Sequence, residues 1–506
     1  MLKFHSFHPW HRRCAWDHLC NAKDRAMLEP KNAGGLKVPI ASRRRFLGSV
    51  GAGLATASLW PQYCFAAVGV PVDYDVRNFG AVGDGVTDDT ASIQRAIDTA
   101  AQQGGGRILL AGGRRFLSGA IVLRSGVDFH LADDAMLLAN PNPEAYGKHD
   151  GLLNSDGAQG VKISGTGMID GQAMQFVTSF SEKDERWEPK AFRPRMFSLR
   201  RCSDLEITGI TFGHSPNWGM HMLGCERVLV DGVRVRNFLE VPNCDGIDPD
   251  HCRDVEIRNC DIVCADDGIV VKTSDQREDY GPTRNIVVKD CVITTRDSGV
   301  KIGTETFGDI SKVLFERCKI ISGGRGPTIT HRQKGNIEDI EFRDIDVTAE
   351  HHAARWWGWG EAISITAWPR TEGGEVGYLR NIRLRNIRGR AENSIRIDGQ
   401  HNQPIQGVLL EDIDMTIDKW TIYPGECFDN RPTRPGVEGL ERHDTPVFSL
   451  RNAKDVTVKN CTARWGRNRQ SYFSNALQAE HVSGLKLLGF RGTAAFPKKQ
   501  KAIAIS

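Results

Sequence analysis

The residues of this chain best suited to chemistry are three aspartates. Asp245 ends the run Asn243-Cys244-Asp245, and Asp266 and Asp267 stand side by side ahead of Gly268. Carboxylates gathered at one place repel each other, which raises at least one pKa and leaves one acid protonated near neutral pH. A protonated carboxyl beside an ionised one can perform general acid and general base catalysis. Adjacent residues of a regular strand face opposite ways, so Asp266 and Asp267 reach one site only if the chain turns at Gly268. Asp84, Asp248 and Asp250 read instead as turn or solvated surface acids. Further along lie Lys301, Glu305, His331, Arg332 and Lys334. Two readings are open for these charges: they hold a substrate, or they are solvated surface. The run Trp356-Trp357-Gly358-Trp359 has two readings as well. Its aromatic faces, Trp357 and Trp359 foremost, stack on sugar rings, or they pack a small core of their own. Trp218, next to Pro216 and an alternating apolar run, reads as core.

The elements that must position these groups are legible as a repeat. From about residue 204 a phrase recurs: apolar–x–apolar, a small polar pair, then apolar–x–apolar again. Examples are Leu205-Glu206-Ile207-Thr208-Gly209-Ile210-Thr211-Phe212 and Val255-Glu256-Ile257-Arg258-Asn259-Cys260-Asp261-Ile262. The phrase begins again at 228, 286, 313, 340, 382, 408, 456 and 485. Period-two alternation means strands with one buried face, and the polar pair means a sharp bend between two strands. Recurrence every 23–31 residues, with two longer gaps that read as insertions, means stacked coils. This predicts an all-β, single-stranded parallel β-helix in which Asp245 and Asp266, 21 residues apart, lie on neighbouring coils about 4.8 Å apart. One helix is expected from Asp88 to Gln103, where Ile93, Ala96, Ile97 and Ala100 form an apolar stripe. Thr87 or Asp88 caps its start, Gly104-Gly105-Gly106 ends it, and it would cover the open end of the stack. The Gly-rich stretch before it, Asn78 to Gly85, matches neither a Walker loop nor GxGxxG, so it is not read as a phosphate site.

Composition narrows the class further. With 40% hydrophobic and 25% charged residues over 506, the chain is globular. The formal charge of +3 is unevenly spread: residues 1–66 carry ten Lys/Arg against three acids, and the rest carries 56 against 60. Within that basic segment, Ser42-Arg43-Arg44-Arg45-Phe46-Leu47-Gly48 precedes a short apolar run and Cys64-Phe65-Ala66-Ala67. This is the layout of a twin-arginine-like signal segment, removed on export to the periplasm or the exterior. Two segments are therefore expected, a removed 1–66 and a β-helix glycosidase domain over 67–506. The body without the signal is mildly acidic, so neither nucleic acid nor membrane is expected as a partner, and a monomer is expected. Cys260, Cys291, Cys318 and Cys461 occupy one place in the repeat and read as stacked buried thiols; no cysteine pair or Cys/His cluster has zinc spacing.

These motifs together resemble glycoside hydrolase family 28, the polygalacturonases and their relatives. The resemblance runs from Asn78–Asp89 through Ile163-Ser164-Gly165-Thr166-Gly167-Met168-Ile169-Asp170-Gly171, Ser215-Pro216-Asn217-Trp218, Asn243-Cys244-Asp245 and Asp266-Asp267 to the coils near 345. It implies a right-handed parallel β-helix that hydrolyses pectin-like polysaccharide with inversion and needs no metal or cofactor. By the same resemblance Asp245 is similar to the family's Asn-x-Asp carboxylate, Asp266 to the general acid and Asp267 to the acid that helps activate water, and Asn243 is expected at the substrate. The chain departs from the family pattern twice. Where polygalacturonases carry Gly-His-Gly, it reads Asp297-Ser298-Gly299-Val300-Lys301, and in place of Arg-x-Lys it reads Thr328-Ile329-Thr330. Lys301, His331, Arg332 and Lys334 lie nearby as substitutes, and other pectic sugars stay open as substrates. Two rivals share the fold: a Ca²⁺-dependent polysaccharide lyase, and a non-catalytic carbohydrate-binding β-helix.

Overall fold

A computed structural model describes residues 73–353, 355–371, 373–433 and 439–506. The expected signal segment, 1–66, lies outside the described residues. The described chain is a parallel β-helix. Three strands make a coil, as in Ser203–Thr208, Thr211–Gly213 and Met220–Leu223, and each pairs in parallel with its counterpart on the next coil.

The register is the one the repeat predicts. Leu205 pairs with Val228, Val228 with Val255, Val255 with Ile286, Ile286 with Val313, Val313 with Ile340, and Ile340 with Ile382. Equivalent side chains therefore stack inside the coil. Ile257, Val288 and Phe315 are fully buried, each contributing roughly 1.5–3 kcal/mol by leaving water. Phe315 and Phe342 lie face to face with ring centroids 5.0 Å apart.

The polar pairs between strands make the bends. Asn259, Asp290 and Asp344 there have φ near +55°, a left-handed conformation that Asn and Asp tolerate better than most residues. Their side chains also bond along the stack: Asn259 Nδ2 donates to Asp231 Oδ1 at 2.7 Å, and Asn386 Nδ2 to Asp344 Oδ1 at 2.7 Å. Cys260, Cys291, Cys318 and Cys461 are buried, as expected.

The helix spans Thr90–Gln102, and its predicted stripe is wholly buried. Neither expected cap is used: Asp89 holds the cap position without a side-chain cap bond, and Asp88 Oδ1, one residue earlier, accepts from Thr90 N at 2.9 Å. The Gly-rich loop ahead of it does bind an anion, but one from the chain itself. Val82 N and Gly83 N donate to the buried Asp89 carboxylate at 2.7 and 3.0 Å.

Three departures from the regular coil rise over the third strand stack. They are an antiparallel hairpin, Val177–Ser181 with Arg186–Pro189, the Trp-rich segment 351–360, and a second antiparallel pair, Cys427–Asp429 with Leu440–Arg442.

Candidate active site

The candidate site lies on the outward face of the third strand stack, where strands Ile247–Asp250, Ile269–Thr273 and Val300–Thr306 follow one another. Ile247 pairs with Ile269, and Gly246 N donates to Asp267 O at 2.9 Å. The repeat is thus 22 residues here, and Asp267 rather than Asp266 is Asp245's register neighbour. All three acids still converge: one oxygen from each lies within 4.8 Å of the others.

Gly268 does this for a reason other than the one expected. Its φ is not left-handed; what matters is close approach, because a Cβ there would press on Gly299 O at 2.5 Å. Gly246 and Gly219 are crowded in the same way by the backbone of the coil above. A column of glycines under the site lets successive coils close up, and this brings the carboxylates together.

Two lysines hold the acids. Lys301 Nζ lies 2.7 Å from Asp267 Oδ2, with both side chains almost fully buried. Lys272 Nζ lies 3.3 Å from Asp245 Oδ2 and 3.1 Å from Asp248 Oδ1, and sits 3.9 Å from the centroid of the Trp218 ring. Among the described residues no cation ion-pairs with Asp266, which is also the one acid of the trio partly open to the cleft. Its Oδ1 accepts from Asp267 N at 3.0 Å.

This arrangement sets the protonation. Burial, then the charges of Asp245 and Asp297, pushes Asp266 up to about 7. Burial likewise pushes Asp267 up to about 7, against the pull of Lys301. Asp245 is raised by burial and by Asp248, with Lys272 opposing. Burial works against the charge of Lys272, but Asp248 and Asp245 outweigh it and its pKa rises. Four acids thus share two ammonium groups, and the cluster holds protons at neutral pH as a unit. The trio has the donor set to cage a cation, but Lys272 and Lys301 already bring the counter-charge to Asp245 and Asp267.

Around this centre is a cleft of about 290 Å³, its lining including Asn243, Glu305, Trp357, Trp218, Arg186 and Asp297. Asn243 is exposed at the rim, its Oδ1 accepting from Arg193 Nη2 at 3.1 Å. Glu305 lies 3.9 Å from Lys272. Lys301 is in the lining but sits beneath Asp267, so it sets that group's charge rather than offering a free cation to a ligand.

Four expected substrate contacts lie elsewhere. His331 is buried, with Thr306 Oγ1 at Nδ1 (3.0 Å) and Gly377 O at Nε2 (2.9 Å), and burial lowers its pKa to about 3, so it is a neutral structural group. Arg332 is buried too, donating to His331 O, Thr366 Oγ1 and Asn430 O. Lys334 is exposed but borders a separate groove formed by residues 274–282. Trp359 is packed against His351, ring centroids 4.1 Å apart. The Trp-rich segment therefore divides: Trp357 faces the cleft and Trp359 forms a core.

Other readings are corrected in the opposite direction. Trp218 is not core but half-exposed, walling the cleft below Lys272. Asp248 and Asp250 are not solvated but fully buried. Asp250 accepts from His221 Nε2 at 3.1 Å, and although burial opposes it, His221 and Ser274 hold its pKa at about 2. Asp84 is a turn acid as expected, accepting from Val86 N and Thr87 N. Sequence reasoning missed Lys272, Asp297 and Arg186. Lys272 had a signal, a lone charge at an outward position of Ile269-Val270-Val271-Lys272.

Beyond the cleft the same face is closed. Thr328, Ser364, Arg396 and Asp398 point outward in register yet are almost fully buried. Asp429 seals them in: its Oδ2 accepts from Gly358 N at 2.6 Å and lies 3.1 Å from Arg325 Nη2, and its Oδ1 takes Arg431 Nε at 2.8 Å.

Known proteins are similar to this chain. The family model for glycosyl hydrolases family 28 matches residues 116–423. A probable polygalacturonase of Vitis vinifera is 27% identical over 406 residues, covering 73% of this chain and 78% of that protein. The structure of a Yersinia enterocolitica family 28 exopolygalacturonase has a TM-score of 0.64 at 18% identity, covering 82% of this chain and 78% of the other. A Thermotoga maritima exopolygalacturonase gives a TM-score of 0.57 at 24% identity, covering 69% and 88%. With a matched span of more than half its length, this chain belongs to glycosyl hydrolases family 28 and is a polygalacturonase-like glycoside hydrolase.

Proposed function

We propose that this hydrolase cleaves pectin-like polysaccharide by a single displacement, with Asp266 donating a proton to the leaving oxygen while Asp245 and Asp267 activate a water. The observation that carries this reading is the unequal pairing of the three acids. Asp245 and Asp267 each have a lysine that favours the ionised form, whereas Asp266 has none beside it and is pushed up to about 7. Oxygens up to 4.8 Å apart can share one water, since a water bridging two acceptors at about 2.8 Å spans that gap at a near-tetrahedral angle. Attack by that water on the face opposite the leaving oxygen inverts the anomeric centre, here with acids closer together than the roughly 6.5–9.5 Å common to inverting glycosidases.

The closed face beyond Asp429 supports action from a chain end, because a polymer lying in the cleft has no path past the wall. Export rests on the basic 1–66 segment with its apolar run; the mature amino terminus, determined by Edman or mass-spectrometric sequencing, checks it, and an intact terminus rejects it. The enzyme reading is tested by reducing-end release from homogalacturonan, rhamnogalacturonan and neutral pectic chains, with the first-formed anomer followed by NMR. An inverted product and an inactive Asp266→Asn enzyme are expected. Full activity of that variant, or a retained anomer, rejects the mechanism.

A further inference from the structure

Among the described residues the cations around the cleft are taken, with one exception. Lys272 and Lys301 are taken by aspartates. Arg355 is paired with Glu188 and Asp184, and Arg193 is spent on the carbonyls of Pro216 and Pro242 and on Asn243. Behind the wall, Arg325 lies among Asp297, Glu361 and Asp429, and Arg396 on Asp398. The two positions where the family places its cations hold Thr328 and Thr330, both buried. Arg186, beside the turn of the antiparallel hairpin, lines the cleft and makes no ion pair among the described residues. Its Nε is buried with no hydrogen-bond partner. Its guanidinium lies 5.5 Å from the Trp356 ring centroid, a stacking partner that fixes the plane of the fork.

We propose that Arg186 is a specificity-determining residue, taking the carboxylate of a uronate unit bound next to the scissile linkage. This rests on the hydrolase reading of the same cleft. A guanidinium fork matches a carboxylate with two parallel charge-assisted bonds, and a desolvated guanidinium without a counter-ion rewards an anionic ring over a neutral one. Arg186 and Asp266 line the same cleft.

The test uses equilibrium binding to the inactive Asp266→Asn protein, with trigalacturonate and the same trisaccharide reduced at C6 as probes. Charge-assisted bonds predict that the uronate form binds roughly 10- to 100-fold tighter. Adding Arg186→Gln should bring that ratio to within about threefold of unity, and Arg186→Lys should keep part of it. Retained binding of the reduced trisaccharide shows that the Gln variant is folded. An undiminished ratio in Arg186→Gln overturns the proposal, as does an Asp266→Asn protein that binds both probes equally. In either case hydrolysis by the wild-type enzyme would leave the catalytic reading standing, whereas full activity of Asp266→Asn would fell that reading by itself.

Discussion

Replacing Lys301 by methionine removes the ammonium from Asp267 while keeping the side chain's length. The pair is 2.7 Å apart, with 2% and 5% of the two side chains exposed. At an effective dielectric of about 20, unit charges at that distance attract by about 6 kcal/mol. Stripping one partner from a buried pair costs about 3–5 kcal/mol in practice. Even the lower figure amounts to about 2 pKa units. The sign follows from the direction of the interaction: Lys301 pulls the Asp267 pKa down, so its loss drives that pKa up from about 7. The base is then protonated over a wider range. The Asp267 pKa then passes that of Asp266, itself about 7, so activity near pH 6 should fall about 100-fold while activity near pH 9 falls only about twofold. Reducing-end rates from roughly pH 4 to 9 at fixed salt measure this. A loss equal at every pH would refute the assignment of Asp267 as a lysine-tuned base.

Asp266→Asn should lower kcat by at least about 10²–10⁴-fold and also stabilise the fold in alkaline solution. The folded pKa of about 7 exceeds the ordinary 3.8, so this group's stabilising contribution is full below about pH 4 and is lost as pH rises through 7. A gain of up to about 4 kcal/mol at pH 8 with little change at pH 4 is expected from melting curves; equal shifts at both would sink the idea. Trp359→Ala should cost about 3–5 kcal/mol of stability by emptying the stack on His351, whereas Trp357→Ala should raise KM with little change in Tm. Reversed effects would return Trp359 to the cleft. Asp429→Asn loosens the wall by removing its charge from Arg325 and Arg431. Longer fragments should then appear among the first products by size-exclusion chromatography, and an unchanged product ladder counts against end-on action.

The fold was legible because interior side chains of a β-helix repeat in register: Leu205, Val228 and Val255 are visible in the sequence as surely as in the stack. The trio was legible for a related reason, since its members sit one coil apart. What could not be read was whatever depends on loops closing over the face. His331 and Arg332 resembled ligands because they follow directly on Thr328-Ile329-Thr330, but segments from about 377 and 430 cover them. Trp218 resembled core because its neighbours are apolar, yet the site lies directly against it. Lys272 and Asp248 pair between coils, so neither announces the other locally.

Trp218, Asp245, the Asp266–Asp267 pair and Lys301 are each contributed by a successive turn of the solenoid. A linear array opens from its ends, where a coil has one neighbour instead of two. Amides around 477–505 should therefore exchange their hydrogens well before those around 245–301, with the helix of Thr90–Gln102 slowing the opposite end. Catalytic competence would then outlast the loss of outer turns, and heat would remove the machine's ends before its working part.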